Sequence, residues 1–174
     1  MRKFLITALL ISTVFGTAAP SYATAPDEYQ EHNDLVAALQ ANGVQVYLDS
    51  DECIPGLGGF YHSPSRSLVI CNGGSRTMTD ENMDTLRHEA LHASQDCKNG
   101  VQGDRILYPV LKPGVIEELA AQTGTDLDRI VEVYRSRGAD NQTIYLEFEA
   151  FTVAAGMPAS AVTAALNTFC GAAQ

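Results

Sequence analysis

The chain is short of basic residues: 11 Lys and Arg stand against 21 Asp and Glu in 174 residues, for a formal net charge of −10 at pH 7. A surface of that sign repels nucleic acid and anionic lipid, so neither is expected as a partner. One apolar run stands out, Phe4 to Phe15, and nothing after it approaches the roughly 18 residues that a membrane span requires. No internal repeat or low-complexity linker is present, so neither a solenoid nor a string of domains is expected. Cysteine is sparse as well: there are four, with no CxxC pair, which removes the usual signature of a cysteine-ligated zinc site.

What is there begins with an export signal. Arg2 and Lys3, the apolar run, and small residues ending in Ser21-Tyr22-Ala23 read as a secretory signal peptide with cleavage after Ala23. Residues 1–23 are therefore expected to leave, and 24–174 to form one domain with its own core, secreted or periplasmic and free of the membrane. Cys53, Cys71, Cys97 and Cys170 all follow the leader. An even count in an exported chain favours two disulfides, for which three connectivities exist. Cys53 with Cys71, bracketing a hairpin, and Cys97 with Cys170, joining two helix ends, is the expected pairing.

The segment His88-Glu89-Ala90-Leu91-His92 is an HExxH motif. Positions i and i+4 share a helix face, so two imidazoles at this spacing can hold one zinc ion while the intervening Glu reaches its water. Thr79 to Cys97 reads as the helix that carries the motif. Thr79 or Asp80 caps it, Asp80, Glu81 and Asp84 suit its positive end, and no Pro or Gly interrupts it. Met83, Leu86, Ala90, Leu91 and Ala93 supply the apolar surroundings that would bury the site.

Periodicity and breakers order the rest. A helix is expected over 27–42, a strand over 44–48, and two short strands over 60–62 and 67–71 joined by a turn at Ser63-Pro64-Ser65-Arg66. Further helices are expected over 115–123, 126–137, 141–155 and 160–169, after a loop over 98–114. This makes an α+β chain, mostly helical, with a small antiparallel sheet or hairpin upstream of the motif helix.

That order around HExxH resembles the zincin metallopeptidases. The metzincin extension would need Gly at position 95 and His at position 98, where this chain has Gln95 and Lys98. Asp96 lies two turns from His88 on the same helix, about 12 Å by rise, too far to complete a tetrahedron. The segment Tyr145-Leu146-Glu147-Phe148-Glu149-Ala150, leading to Met157-Pro158, is similar to the glutamate helix of gluzincins and in particular of ImmA/IrrE-type metallopeptidases. The resemblance implies Glu149 as third ligand, and an acid in so apolar a helix needs a compensating charge, which zinc would supply. Glu147 is the alternative, about 200° away around the helix, with Glu117 or Glu118 further ones.

The resemblance implies a zinc peptidase acting on peptide or protein substrates, with His88, His92 and Glu149 as ligands and Glu89 as general base. Tyr61, His62, Tyr108 and Tyr145 are candidates for stabilising an oxyanion. The strand 67–71 is the expected edge for an extended peptide. A zincin-fold binding module without hydrolysis and an amide hydrolase acting on cell-wall material are the competing readings.

Overall fold

A computed structural model describes residues 28–75, 77–112 and 114–171; the leader over 1–23 lies outside the described residues. The elements are α1 (Glu28–Ala41), β1 (Gln45–Leu48), β2 (Gly59–His62), β3 (Ser67–Ile70), α2 (Asp80–Cys97), α3 (Val115–Thr123), α4 (Leu127–Ser136), α5 (Asn141–Gly156) and α6 (Ala159–Cys170). The chain is thus α+β and mostly helical. Helix starts follow side-chain chemistry. Thr79 and Asn82 cap α2 reciprocally, while Asp126 and Asp140 accept the backbone N–H of Arg129 and Thr143 at the starts of α4 and α5.

α2 is the centre of the molecule. Leu86, Ala90, Leu91 and Ala93 are fully buried or nearly so, because α5 and α6 pack on one side of the helix and the sheet on the other. α1 covers α6 and β1, and α3 and α4 pack on α5. Leu35 and Leu39 of α1, Leu68 and Ile70 of β3, Val153 of α5 and Val162 and Leu166 of α6 complete one core. Burying each such side chain contributes about 1.5–3 kcal/mol.

The expected antiparallel hairpin is present as β2 and β3, and β1 extends it into a mixed sheet. Its order is β1-β3-β2, with β2 antiparallel to β3 and β1 parallel to it. After β1 the chain crosses to the far edge to make β2, so the returning hairpin strand lands in the middle. β3 is therefore paired on both sides and is no edge for a peptide; β2 is. Gly59 lets β2 approach α2. A Cβ there would sit 2.5 Å from the Val69 carbonyl oxygen and 2.7 Å from Thr85 Cγ2, so a larger residue would force the strand away from the motif helix.

Both expected disulfides are present, Cys53–Cys71 and Cys97–Cys170, with Cα separations of 5.5 and 5.0 Å. They point to an oxidising, extracellular environment. Among the described residues no helix is long and apolar enough to cross a membrane.

Beside the first disulfide, the Asp49 carboxylate accepts the backbone N–H groups of Asn72, Gly73 and Gly74. These bonds hold its pKa below the usual carboxylate value. A depressed folded pKa stabilises the fold above the unfolded value, near 3.8, and the contribution is lost as pH falls through the folded value. Asp49→Asn should therefore unfold at lower urea than wild type at pH 7, with the difference closing below about pH 4. A gap that stays constant from pH 7 to 3 would show that the charge is not what holds the 72–74 turn.

Candidate metal centre

The helical repeat of α2 sets His88 and His92 side by side, with Nε2 atoms 3.1 Å apart and ring centroids at 4.8 Å. α5 crosses α2 here and brings Glu147 to the pair: its Oε2 lies 3.3 Å from His88 Nε2 and its Oε1 3.5 Å from His92 Nε2. These three side chains form a group that could hold a metal ion, each offering one ligand atom with all atoms within 4.8 Å of one another. Phe151, one turn further along α5, stacks edge-on against His88 at 4.5 Å.

Glu149, the ligand implied by resemblance, is not in the group. It is fully buried, and its carboxylate accepts hydrogen bonds from Gln95 Nε2 at 2.6 Å, from Val110 N at 2.9 Å and from Leu111 N. The cost of burying this acid is thus offset by three N–H donors rather than by a cation. Two residues along a helix turn a side chain to the other side, so the face of α5 that meets the imidazoles carries Glu147. Glu117 and Glu118 are exposed on α3, away from the group. Asp96, excluded by distance from His88, is fully buried and accepts hydrogen bonds from Tyr61 Oη, Ser63 Oγ and the Gly103 N–H.

Glu89 is buried beside the group, its Cγ 3.6 Å from the position a Cβ on Gly59 would take. β2 therefore covers this carboxylate from the sheet side. Burial disfavours the charged form of His92, but the Glu147 carboxylate, the charge of Glu89 and the Gln95 side chain outweigh it and push its pKa up to about 9. Glu147 is likewise opposed by burial, yet the facing His88 and His92 hold its carboxyl far below the usual range. Its Oε2 nevertheless accepts no well-aligned hydrogen bond among the described residues. A buried carboxylate oxygen left in that state, aimed at two imidazoles, is a position that a cation satisfies.

The oxyanion candidates from the sequence have other surroundings among the described residues. Tyr61 is taken by Asp96, His62 is exposed and bonded to Ser65, Tyr108 is exposed, and Tyr145 answers to burial and the charges of Glu117 and Glu149. A tyrosine near the group is Tyr134 of α4, whose ring stacks edge-on against Phe151. Burial first, then the charge of Glu147 and hydrogen bonding to it, raise the Tyr134 hydroxyl well above its ordinary pKa, so it stays protonated. No local pattern marks this residue. Its position depends on how α4 packs across α5.

A cleft of about 410 Å³ opens from the group, with His92 and Glu147 at one end and Arg105, Ile106, Leu107 and Leu146 along its walls. Arg105 to Leu107 belong to the long loop after α2, which is pinned at both ends by buried carboxylates: Asp96 holds Gly103, and Glu149 holds Val110 and Leu111. Comparison of the chain with family models, with curated proteins and with solved structures found no match. The site must therefore be read from its own chemistry.

Proposed function

We propose that this protein is a secreted zinc-dependent peptidase in which His88, His92 and Glu147 hold the metal and Glu89 is the general base. The observation that carries the reading is the convergence of two imidazole nitrogens and one carboxylate beside a second, separate carboxylate. Tetrahedral zinc with ligand bonds of about 2.0–2.1 Å has ligand–ligand edges of about 3.4 Å. The Nε2–Nε2 separation of 3.1 Å and the His88 Nε2–Glu147 Oε2 separation of 3.3 Å lie near that figure, while His92 Nε2 faces the other oxygen, Oε1, at 3.5 Å. The donor set, two neutral nitrogens and an oxygen anion, is one that zinc accepts while keeping a fourth position open.

Bound zinc would supply Lewis acidity and lower the pKa of a coordinated water towards about 7. Glu89, one residue after the first ligand, would take a proton from the attacking water and deliver it to the departing amine. The Tyr134 hydroxyl, kept protonated, is a hydrogen-bond donor on the Glu147 side. The free edge of β2, next to Glu89, is where an extended substrate would add by main-chain hydrogen bonds. Export is supported by the leader pattern at residues 1–23 and by the two disulfides.

Metal analysis of the purified chain with its disulfides formed should find one zinc, and Glu147→Ala should remove it. A broad library of unfolded proteins and peptides at near-neutral pH should contain cleaved members. Zinc binding without cleavage of any of them would favour the binding-module reading; no zinc at all would end the metal reading.

A further inference from the structure

Glu149 and Gln95 occupy positions that the metal reading leaves unused, yet both are fully buried and both lie in one hydrogen-bonded line ending at His92. Gln95 Nε2 faces two acceptors, Glu149 Oε2 at 2.6 Å and the Leu146 carbonyl oxygen at 3.2 Å. Two acceptors on that side require the amide nitrogen there, so Gln95 Oε1 is the atom turned to His92 Nδ1, at 2.8 Å. An acceptor at this place requires a proton on Nδ1. The other ring nitrogen, Nε2, is then the one presented to His88 Nε2 and Glu147.

We infer that Glu149 is a positioning residue for the metal centre: acting through Gln95, it fixes the proton of His92 on Nδ1 and so directs Nε2 to the metal. The inference rests on the proposal that His88, His92 and Glu147 bind metal, and not on peptidase activity. Every group that Glu149 contacts in this network is an N–H donor: Gln95 Nε2, Val110 N and Leu111 N. A carboxylate can accept from all three, whereas an amide in its place sets its own NH2 against at least one of them. The relief available to Gln95 is to turn over, which presents its NH2 to His92 and favours the wrong tautomer. Partners that orient a metal-binding His in this way are typically worth 10–100-fold in metal affinity. The same carboxylate fastens 110–111, so the loop that walls the cleft and the ligand His92 are held by one group.

The test measures Zn²⁺ affinity by chelator competition and the His92 ring protons by NMR. Metal-free wild type, at a pH high enough for the His92 ring to be neutral, should carry its single ring proton on Nδ1 and none on Nε2, and Gln95→Ala should lose that preference. Glu149→Gln should bind Zn²⁺ about 10–100-fold more weakly. The Gln95→Glu/Glu149→Gln double variant should recover part of that loss. It sets one carboxylate oxygen against the His92 N–H and the other against the new amide's NH2, whose oxygen turns to Val110 and Leu111, while the Leu146 carbonyl loses its side-chain donor. A purely structural role for Glu149 predicts no such rescue. Wild-type Zn²⁺ affinity in a folded Glu149→Gln variant, or a neutral His92 in the wild type whose proton is not on Nδ1, overturns the inference; the second measurement needs no variant to fold. Wild type that binds no Zn²⁺ would sink the metal reading instead, and the Nδ1 proton in the metal-free protein would still decide the relay.

Discussion

Glu89→Gln is expected to retain one zinc per chain and the wild-type fold while losing at least about a hundredfold in kcat/KM for peptide hydrolysis, the usual share of general-base catalysis. The amide is nearly isosteric with the carboxylate and fits the same space between α2 and Gly59, but it cannot accept a proton. Glu89 is also outside the group formed by His88, His92 and Glu147, so its replacement removes no ligand atom from that group. His92→Ala should behave differently. It removes a nitrogen from the group, so zinc content and thermal stability should fall together, because bound metal favours the folded state. Metal content and turnover measured on the same preparations separate the two outcomes. Full turnover in Glu89→Gln would strip this residue of its role, and loss of zinc from it would move it among the ligands.

The second large effect concerns stability. Cys97–Cys170 closes a sequence separation of 73 residues and ties the end of the motif helix to the end of α6. By the loop-entropy relation, a crosslink of that span stabilises the fold by about 4 kcal/mol. Cys97→Ala/Cys170→Ala should therefore lower the urea midpoint steeply and Tm by about 10 °C, since each kcal/mol moves a chain of this size by about 2–4 °C. The Cys53–Cys71 bridge closes 18 residues and should be worth about 3 kcal/mol by the same relation. Saturating zinc should raise wild type and the double variant by the same mass-action increment and leave the difference between them unchanged. A double variant within about 1 kcal/mol of wild type would mean that native strain cancels the chain-entropy gain.

Much of this architecture is local and so could be read along the chain. α3 spans Val115–Thr123 as expected, and the other helix limits lie within one residue of expectation among the described residues, Asp27 falling outside them. The reason is chemical: Thr79, Asp126 and Asp140 accept the first free N–H groups, while Gly43, Gly124 and Gly138 take up positive φ where helices stop. Cysteine pairing was legible for a related reason. Cys97 and Cys170 sit at the ends of two helices that had to pack together, and Cys53 and Cys71 bracket the hairpin.

Other features depend on partners remote in sequence. β1 has the composition of a strand whether it pairs parallel or antiparallel, and only the crossing of 49–58 to the far edge decides that it lies parallel to β3. Tyr134 has no motif, and it reaches the acidic side of the site because α4 packs on α5.

The sequence by itself determined the pair His88 and His92 with Glu89 between them, because a fixed helical repeat places residues four apart on one face whatever surrounds the helix. For a third acid the resemblance pointed to Glu149, with Glu147, Glu117 and Glu118 left open. That Glu147 rather than Glu149 faces the two imidazoles follows only from the packing of α5. Resemblance favoured Glu149, supported by the cost of burying an acid in so apolar a helix, and Glu149 is indeed the deeper of the two. That cost is met by Gln95 and by the backbone N–H groups of Val110 and Leu111, residues 38 to 54 positions earlier in the chain. The rotation of α5 about its axis, fixed by packing against α2, α3 and α4, then turns Glu147 to the imidazoles. A helix's own sequence gives the angle between two of its side chains, but only the elements packed around it choose which one faces the site.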